Sequence, residues 1–107
     1  NGKAKREVIY VDELANACVY FMKKKTNHFL INIGTGKDYS IKHYAELISK
    51  IILPNKKITI KYDKSKPNGT PRKVMDISLA KKYGWQSQMK LNDAVDLTYK
   101  SYLKNLN

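Results

Sequence analysis

The chain has little of what anchors or cross-links many proteins: among its 107 residues are one cysteine, three prolines and five glycines. The single thiol, Cys18, cannot form an internal disulfide, so a reducing, cytoplasmic compartment is expected. No run of about 18 apolar residues is present, which excludes a membrane-spanning helix. The sequence begins without a signal peptide and without an initiator Met, so a piece of a longer protein is expected.

Residues for metal binding and catalysis are also scarce. His28 and His43 fall in different predicted elements, so no metal site is expected. Cys18 lies among the predicted core positions of a helix, which favours a buried thiol over a nucleophile. Asp12 and Glu13 are adjacent and do not have the arrangement of a general acid and base. We therefore expect no catalytic residue in this chain.

A short glycine motif, Gly34-Thr35-Gly36, follows a predicted strand, where a dinucleotide-binding fingerprint would begin. The third glycine of that fingerprint would fall at Tyr39, and the next helix begins only after Ser40. No phosphate-binding Gly-Lys-Ser/Thr signature is present either. A tight turn is the better interpretation, and no cofactor-binding residue is expected.

Acidic residues number only 9 against 21 basic ones, which gives a net charge of +12. Such a balance fits nucleic acid, an anionic membrane or a phosphorylated ligand as partner. The lysines are dispersed along the chain, which favours an ordinary solvated surface. A basic nucleic-acid-binding domain stays an alternative at this point.

Hydrophobic periodicity predicts an α/β domain with a small mixed sheet and packed helices, in the order β-α-β-α-β-loop-α-α. Strands are predicted at 8–11, 29–33 and 57–62, with a short extended piece at 74–76. Helices are predicted from the N-cap Asp12 to about Lys25, from Ile41 to about Leu53 behind Ser40, from Ser78 to about Tyr83, and from Leu91 to about Leu103. Gly84 should close the third helix, and Trp85 should fill the core.

The segment 62–76 is the most informative part of the sequence. Pro67 and Pro71 stiffen it, and Gly69 lets the backbone turn or approach a ligand. Its cations suit a phosphate or diphosphate, because Arg can bind such a group bidentately and Lys as a point charge. Composition alone favours an ordinary surface turn with solvated lysines. Outside this loop, Arg6 stands at the start of the first predicted strand, where it could be aimed at an anion.

Three motifs together resemble one enzyme family. Residues 6–17 read Arg-Glu-Val-Ile-Tyr-Val-Asp-Glu-Leu-Ala-Asn-Ala, residues 28–36 end in Ile-Asn-Ile-Gly-Thr-Gly, and residues 65–76 contain Ser-Lys-Pro-Asn-Gly-Thr-Pro-Arg-Lys. They are similar to segments of GDP-L-fucose synthases, which are extended short-chain dehydrogenase/reductases. The third motif is specific to these enzymes and close relatives. The resemblance covers essentially the whole chain.

The resemblance implies that residues 1–107 form a C-terminal substrate-binding domain whose N-terminal Rossmann domain is absent. In the family, the Rossmann domain holds NADP(H) and the catalytic residues, and the enzymes convert GDP-4-keto-6-deoxy-D-mannose to GDP-L-fucose. This chain alone would then be inactive. The expected partners are a GDP-sugar, the protein's own Rossmann domain and, for the full-length enzyme, a second copy in a homodimer. Neither a membrane nor nucleic acid is expected as a partner.

The resemblance assigns four residues of this chain to substrate binding. Arg6 matches a family arginine near the nucleotide diphosphate. Arg72 and Lys73 match a basic pair on the substrate side, and Lys66 matches the lysine of the same loop. Asn68 stands where the family usually has Asp, which makes the loop more cationic. This and other departures leave the sugar open, so a related GDP-deoxysugar or GDP-heptose epimerase/reductase is the alternative.

Overall fold

The computed structural model describes residues 1–106 and confirms an α/β fold with a small mixed sheet and four helices. The strands are β1 (Lys5–Arg6), β2 (Tyr39–Ser40) and β3 (Arg72–Lys73), and the helices are α1 (Val11–Lys23), α2 (Ile41–Ile52), α3 (Ser78–Lys82) and α4 (Leu91–Lys104). The sheet order is β2-β1-β3, with β1 antiparallel to β2 and parallel to β3. Each strand is only two residues long.

The predicted strands were wrong in position. None of 8–11, 29–33 and 57–62 forms a strand in the structure. In the apolar run 29–33, Phe29 and Leu30 are exposed, while Ile31 and Ile33 pack against the core. An apolar run becomes a strand only where a neighbouring strand can pair with its backbone. The described residues supply no such neighbour for this run.

The helices agree better with the sequence, because their backbone hydrogen bonds join residues that are close together in the chain. Ser40 caps α2 as predicted, since its Oγ accepts a hydrogen bond of 3.1 Å from the His43 amide. Asp12 was wrongly predicted as the N-cap of α1: Tyr10 holds that position, and Asp12 lies in the first turn. Ser78 is the first residue of α3, and the carboxylate before it, Asp76, accepts from the Ser78 amide at 3.0 Å.

The small core is built around Trp85, as predicted. Its indole packs against Ala17 and Ala80, which are both fully buried, and donates a 3.0 Å hydrogen bond to Asn16 Oδ1. Alanine at both positions leaves room for the indole between α1 and α3. Cys18, by contrast, is exposed, so the prediction of a buried thiol was wrong.

A carboxylate in the first turn of α1 attaches the C-terminal part of the chain. Glu13 accepts hydrogen bonds from the Ser87 hydroxyl and from the amides of Gln88 and Met89, at 2.5, 2.5 and 2.9 Å. These residues lead into α4, which packs on α2 and flanks a cleft of about 750 Å³ lined by side chains such as Ile48 and Tyr99. Glu13 therefore sets where α4 lies.

Glu13 should make the fold sensitive to acid. Burial raises the pKa of Glu13, but the hydrogen bonds from Ser87, Gln88 and Met89 outweigh it and leave the pKa below its usual value. A carboxyl with a lowered pKa contributes stability above its unfolded-state pKa of about 4.3, and this stability is lost as the pH falls through the folded-state value. Glu13→Gln should therefore lower the free energy of unfolding at pH 7, and the deficit should shrink as the pH falls below about 4.

Urea unfolding followed by Trp85 fluorescence at pH 7 and pH 3 would measure this difference. Glu46→Gln is the matched control, because Glu46 is exposed and its carboxylate pairs with Lys42 at 3.8 Å in the same helix. A Glu13→Gln deficit of equal size at both pH values would contradict the assignment.

Candidate functional site

The sheet brings three of the four predicted site residues together. In the parallel pairing of β1 with β3, Lys5 lies opposite Arg72 and Arg6 lies opposite Lys73. We call these four cations the basic ladder. Lys66 lies outside it, in the exposed loop between α2 and β3, and no hydrogen bond joins it to the basic ladder within residues 1–106.

Arg6 holds the C-terminal part of the loop that leads into β3. Its Nη1 donates to the carbonyl oxygens of Lys5 at 2.6 Å and of Thr70 at 2.7 Å. The neighbouring Gly69 has a φ of +70°, and a Cβ at that position would lie 3.4 Å from Nη2 of Arg6. Glycine therefore allows the turn, whereas a Cβ there would make only ordinary contact with the guanidinium. Within the described chain the charge of Arg6 has no carboxylate partner.

Arg72 has such a partner. Its Nε and Nη2 donate to the two carboxylate oxygens of Asp38, at 2.5 and 3.2 Å, in a bidentate fork. The hydrogen bond from Arg72 holds the pKa of Asp38 below its usual value, although burial opposes the shift. The same contact raises the pKa of Arg72. Its charge is therefore matched within the chain.

The carboxylate of Glu7 joins three segments behind the basic ladder. Oε1 accepts from the Gly36 amide at 2.9 Å and the Thr35 hydroxyl at 3.4 Å, and Oε2 accepts from the Met75 amide at 2.6 Å. A Cβ at Gly34 would collide with this carboxylate. The glycine motif thus wraps around a side chain of its own chain, which agrees with the turn interpretation.

Aromatic side chains of α2 support β1 from the other side. The buried Tyr44 donates a 2.8 Å hydrogen bond to the carbonyl oxygen of Arg6, and Tyr39 stacks on His43 with ring centroids 4.7 Å apart. The ring nitrogen Nδ1 of His28 lies 2.7 Å from the Tyr83 hydroxyl, in hydrogen-bond contact. Residues 1–106 contain no cluster of three or more potential metal ligands and no helix of the length and apolarity needed to cross a membrane.

Sequence reasoning missed three residues that shape this surface, Glu7, Asp38 and Tyr44. Glu7 and Asp38 each lie next to a predicted element, which is a weak signal because most such carboxylates are solvated. The spacing of apolar residues places Tyr44 on the core face of α2, but its bond to a strand carbonyl depends on where β1 lies. The partners of all three are distant in sequence, so spacing alone could not reveal them.

No protein-family model matches the chain. Comparison with individual proteins, however, finds relatives. Over essentially its whole length, the chain is similar to GDP-L-fucose synthases. A putative GDP-L-fucose synthase 2 from Arabidopsis thaliana is 38% identical over 106 residues, which are 99% of this chain and 32% of that protein. A GDP-L-colitose synthase from Yersinia pseudotuberculosis is 37% identical, with 100% of this chain and 34% of that protein covered.

Among solved structures, a GDP-mannoheptose C4 reductase from Campylobacter jejuni with NADP bound superimposes with a TM-score of 0.78 at 30% identity. The match covers 96% of this chain and 33% of that one. The resemblance inferred from the three motifs is therefore confirmed. The chain spans about a third of the length of the proteins that it matches.

Replacing Glu7 tests whether its carboxylate holds the surface together. Glu7→Gln keeps the shape of the side chain but replaces one carboxylate oxygen by an NH₂ group. That group would face the backbone N–H of Gly36 or Met75, so that two donors meet. We expect the free energy of unfolding to fall by about 1–3 kcal/mol, because a charge-assisted hydrogen bond is lost and a donor is left unpaired. Urea denaturation at neutral pH measures the change. Glu46→Gln removes the same charge from an exposed position and should stay within about 0.5 kcal/mol of the parent; equal effects would deny Glu7 this role.

Proposed function

We propose that this chain is the C-terminal substrate-binding domain of an NADP-dependent GDP-4-keto-6-deoxy-D-mannose epimerase/reductase that makes GDP-L-fucose. The observation that carries the proposal is the pairing of Arg6 with Lys73, on strands that belong to two of the family-like motifs. The catalytic residues and the NADP(H) site would lie in the part of the full-length enzyme outside this chain. A related GDP-heptose substrate is the second candidate, supported by the likeness to the GDP-mannoheptose reductase.

The charges of the basic ladder suit the diphosphate of a GDP-sugar. Arg6 and Lys73 carry positive charge without a carboxylate partner in residues 1–106, and Arg6 is held in place by two backbone carbonyls. A guanidinium and an ammonium on adjacent strands can bind two phosphate groups of one ligand. Lys66, on the loop that Arg6 anchors, would contribute a further point charge.

The surface of the chain supports docking of a further domain. α1 exposes an apolar face that includes Val11, Leu14 and Met22, with Met22 84% exposed. The run 29–33 adds Phe29, which is fully exposed, and Leu30, which is 79% exposed. Apolar patches of this kind mark interfaces, and the matched proteins are about three times as long as this chain. The proposed occupant is the Rossmann domain of the same protein. The homodimer expected for the full-length enzyme stays a prediction.

Lys73 offers the clearest test of the diphosphate assignment. In the full-length protein, Lys73→Gln should weaken GDP binding about 10- to 100-fold, because one charge-assisted contact is worth about 1.5–3 kcal/mol. Titration calorimetry measures the affinity. Lys25→Gln removes the same charge beyond the end of α1 and should leave the affinity unchanged. Parent-like binding by Lys73→Gln would remove Lys73 from the site.

The exposed apolar face predicts how the isolated chain behaves. Its weight-average mass in sedimentation should rise with concentration, because burial of apolar surface drives association. Replacing both Met22 and Phe29 by Ser should reduce this rise. Ile58→Ser is the control, since Ile58 is also exposed but lies in the segment beside α2. A chain that stays monomeric at all concentrations would contradict a large docking face.

A further inference from the structure

The basic ladder places like charges at both paired positions of two short strands. Lys5 and Arg72 lie opposite each other, as do Arg6 and Lys73. Like charges at paired positions destabilise a sheet, and two-residue strands form few backbone hydrogen bonds to oppose the repulsion. The contacts of Arg6 with Thr70 and of Glu7 with Met75 hold the segments on either side of β3 to the β1 region. An interaction made by a side chain of β3 itself would add to them and offset the repulsion.

Asp38 supplies this interaction from the far side of the sheet. It immediately precedes β2, whereas Arg72 belongs to β3, and β1 lies between these two strands. The fork between Asp38 and Arg72 thus ties the two outer strands together across β1. The Asp38 side chain is only 8% exposed, while that of Arg72 is 62% exposed, so the carboxylate is the fixed end of the pair.

We infer that Asp38 is a positioning residue for the diphosphate site: by holding Arg72, it keeps β3 in the register that places Lys73 beside Arg6. This inference rests on the proposed function. The fork occupies Nε and Nη2 of Arg72 and matches its charge. Arg72 therefore contributes to binding by holding Lys73 in place on β3. The charges that contact the ligand are those of Arg6 and Lys73.

The role can be tested by GDP binding to the full-length protein, with variants of both partners. Asp38→Asn and Arg72→Gln should each weaken GDP binding by about fivefold to tenfold, and the double variant should be no weaker than either, because both changes break one fork. Arg72→Lys keeps the charge but cannot donate two parallel bonds. It should therefore show the same loss as Arg72→Gln.

A direct phosphate contact by Arg72 predicts a different pattern. Arg72→Lys would then retain much of the affinity that Arg72→Gln loses, and Asp38→Asn would leave binding unchanged or tighten it by releasing a cation. Either result, or additive losses in the double variant, overturns the positioning role. Binding is measured at a temperature well below the lowest Tm among the variants, so that all of them are fully folded and differences in affinity do not reflect unfolding.

Asp96→Asn is the matched control, because Asp96 pairs with Lys100 at 2.7 Å on the exposed face of α4, away from the basic ladder. It should bind GDP as the parent does. The unaltered protein separates the two proposals. If it does not bind GDP, the proposed function itself is overturned. If it binds GDP and the affinity losses of Asp38→Asn and Arg72→Gln add in the double variant, only the role of Asp38 is overturned.

Discussion

The carboxylate of Glu7 is the contact on which the arrangement of this chain most depends. It lies one residue after β1 and accepts hydrogen bonds from the glycine turn before β2 and from Met75 after β3. All three strands of the sheet are therefore tied to one side chain. An ionised acceptor suits this position, because a carboxylate can accept several backbone N–H groups at once and such bonds are stronger than neutral ones.

Carboxylates elsewhere in the chain are used in the same way. Glu13 fixes the approach to α4, Asp38 holds Arg72, and Asp63 and Asp76 accept bonds from serines two residues later. Only three of the 21 basic residues form ion pairs with carboxylates of residues 1–106. The few acids thus build the structure, and the many cations remain as the electrostatic surface that an anionic ligand meets.

Local features of this fold could be predicted from the sequence, and distant ones could not. The serine cap of α2 and the glycine after α3 depend on neighbouring residues, and both predictions are confirmed. The burial of Trp85 is also confirmed, although its partners Asn16 and Ala17 are distant in the chain. The strands depend on partners elsewhere: 29–33 has a strand-like pattern but no neighbouring strand here. The motif resemblance gave three of the four cations of the basic ladder, but the place of Lys5 in it and the pairing of Arg72 with Asp38 required the structure. The assignment of these cations to a substrate stays a prediction.

The contacts that organise the surface join residues far apart in the chain. Glu7 and Met75 are separated by 68 residues, Arg6 and Thr70 by 64, and Glu13 and Met89 by 76. Closing such long loops costs chain entropy before any bond compensates for it, whereas helices form locally. We therefore expect the helices to form before the sheet, and β1 can meet β3 only after most of this chain has been synthesised. The surface built by Arg6 and Lys73 is among the last parts of the molecule to exist.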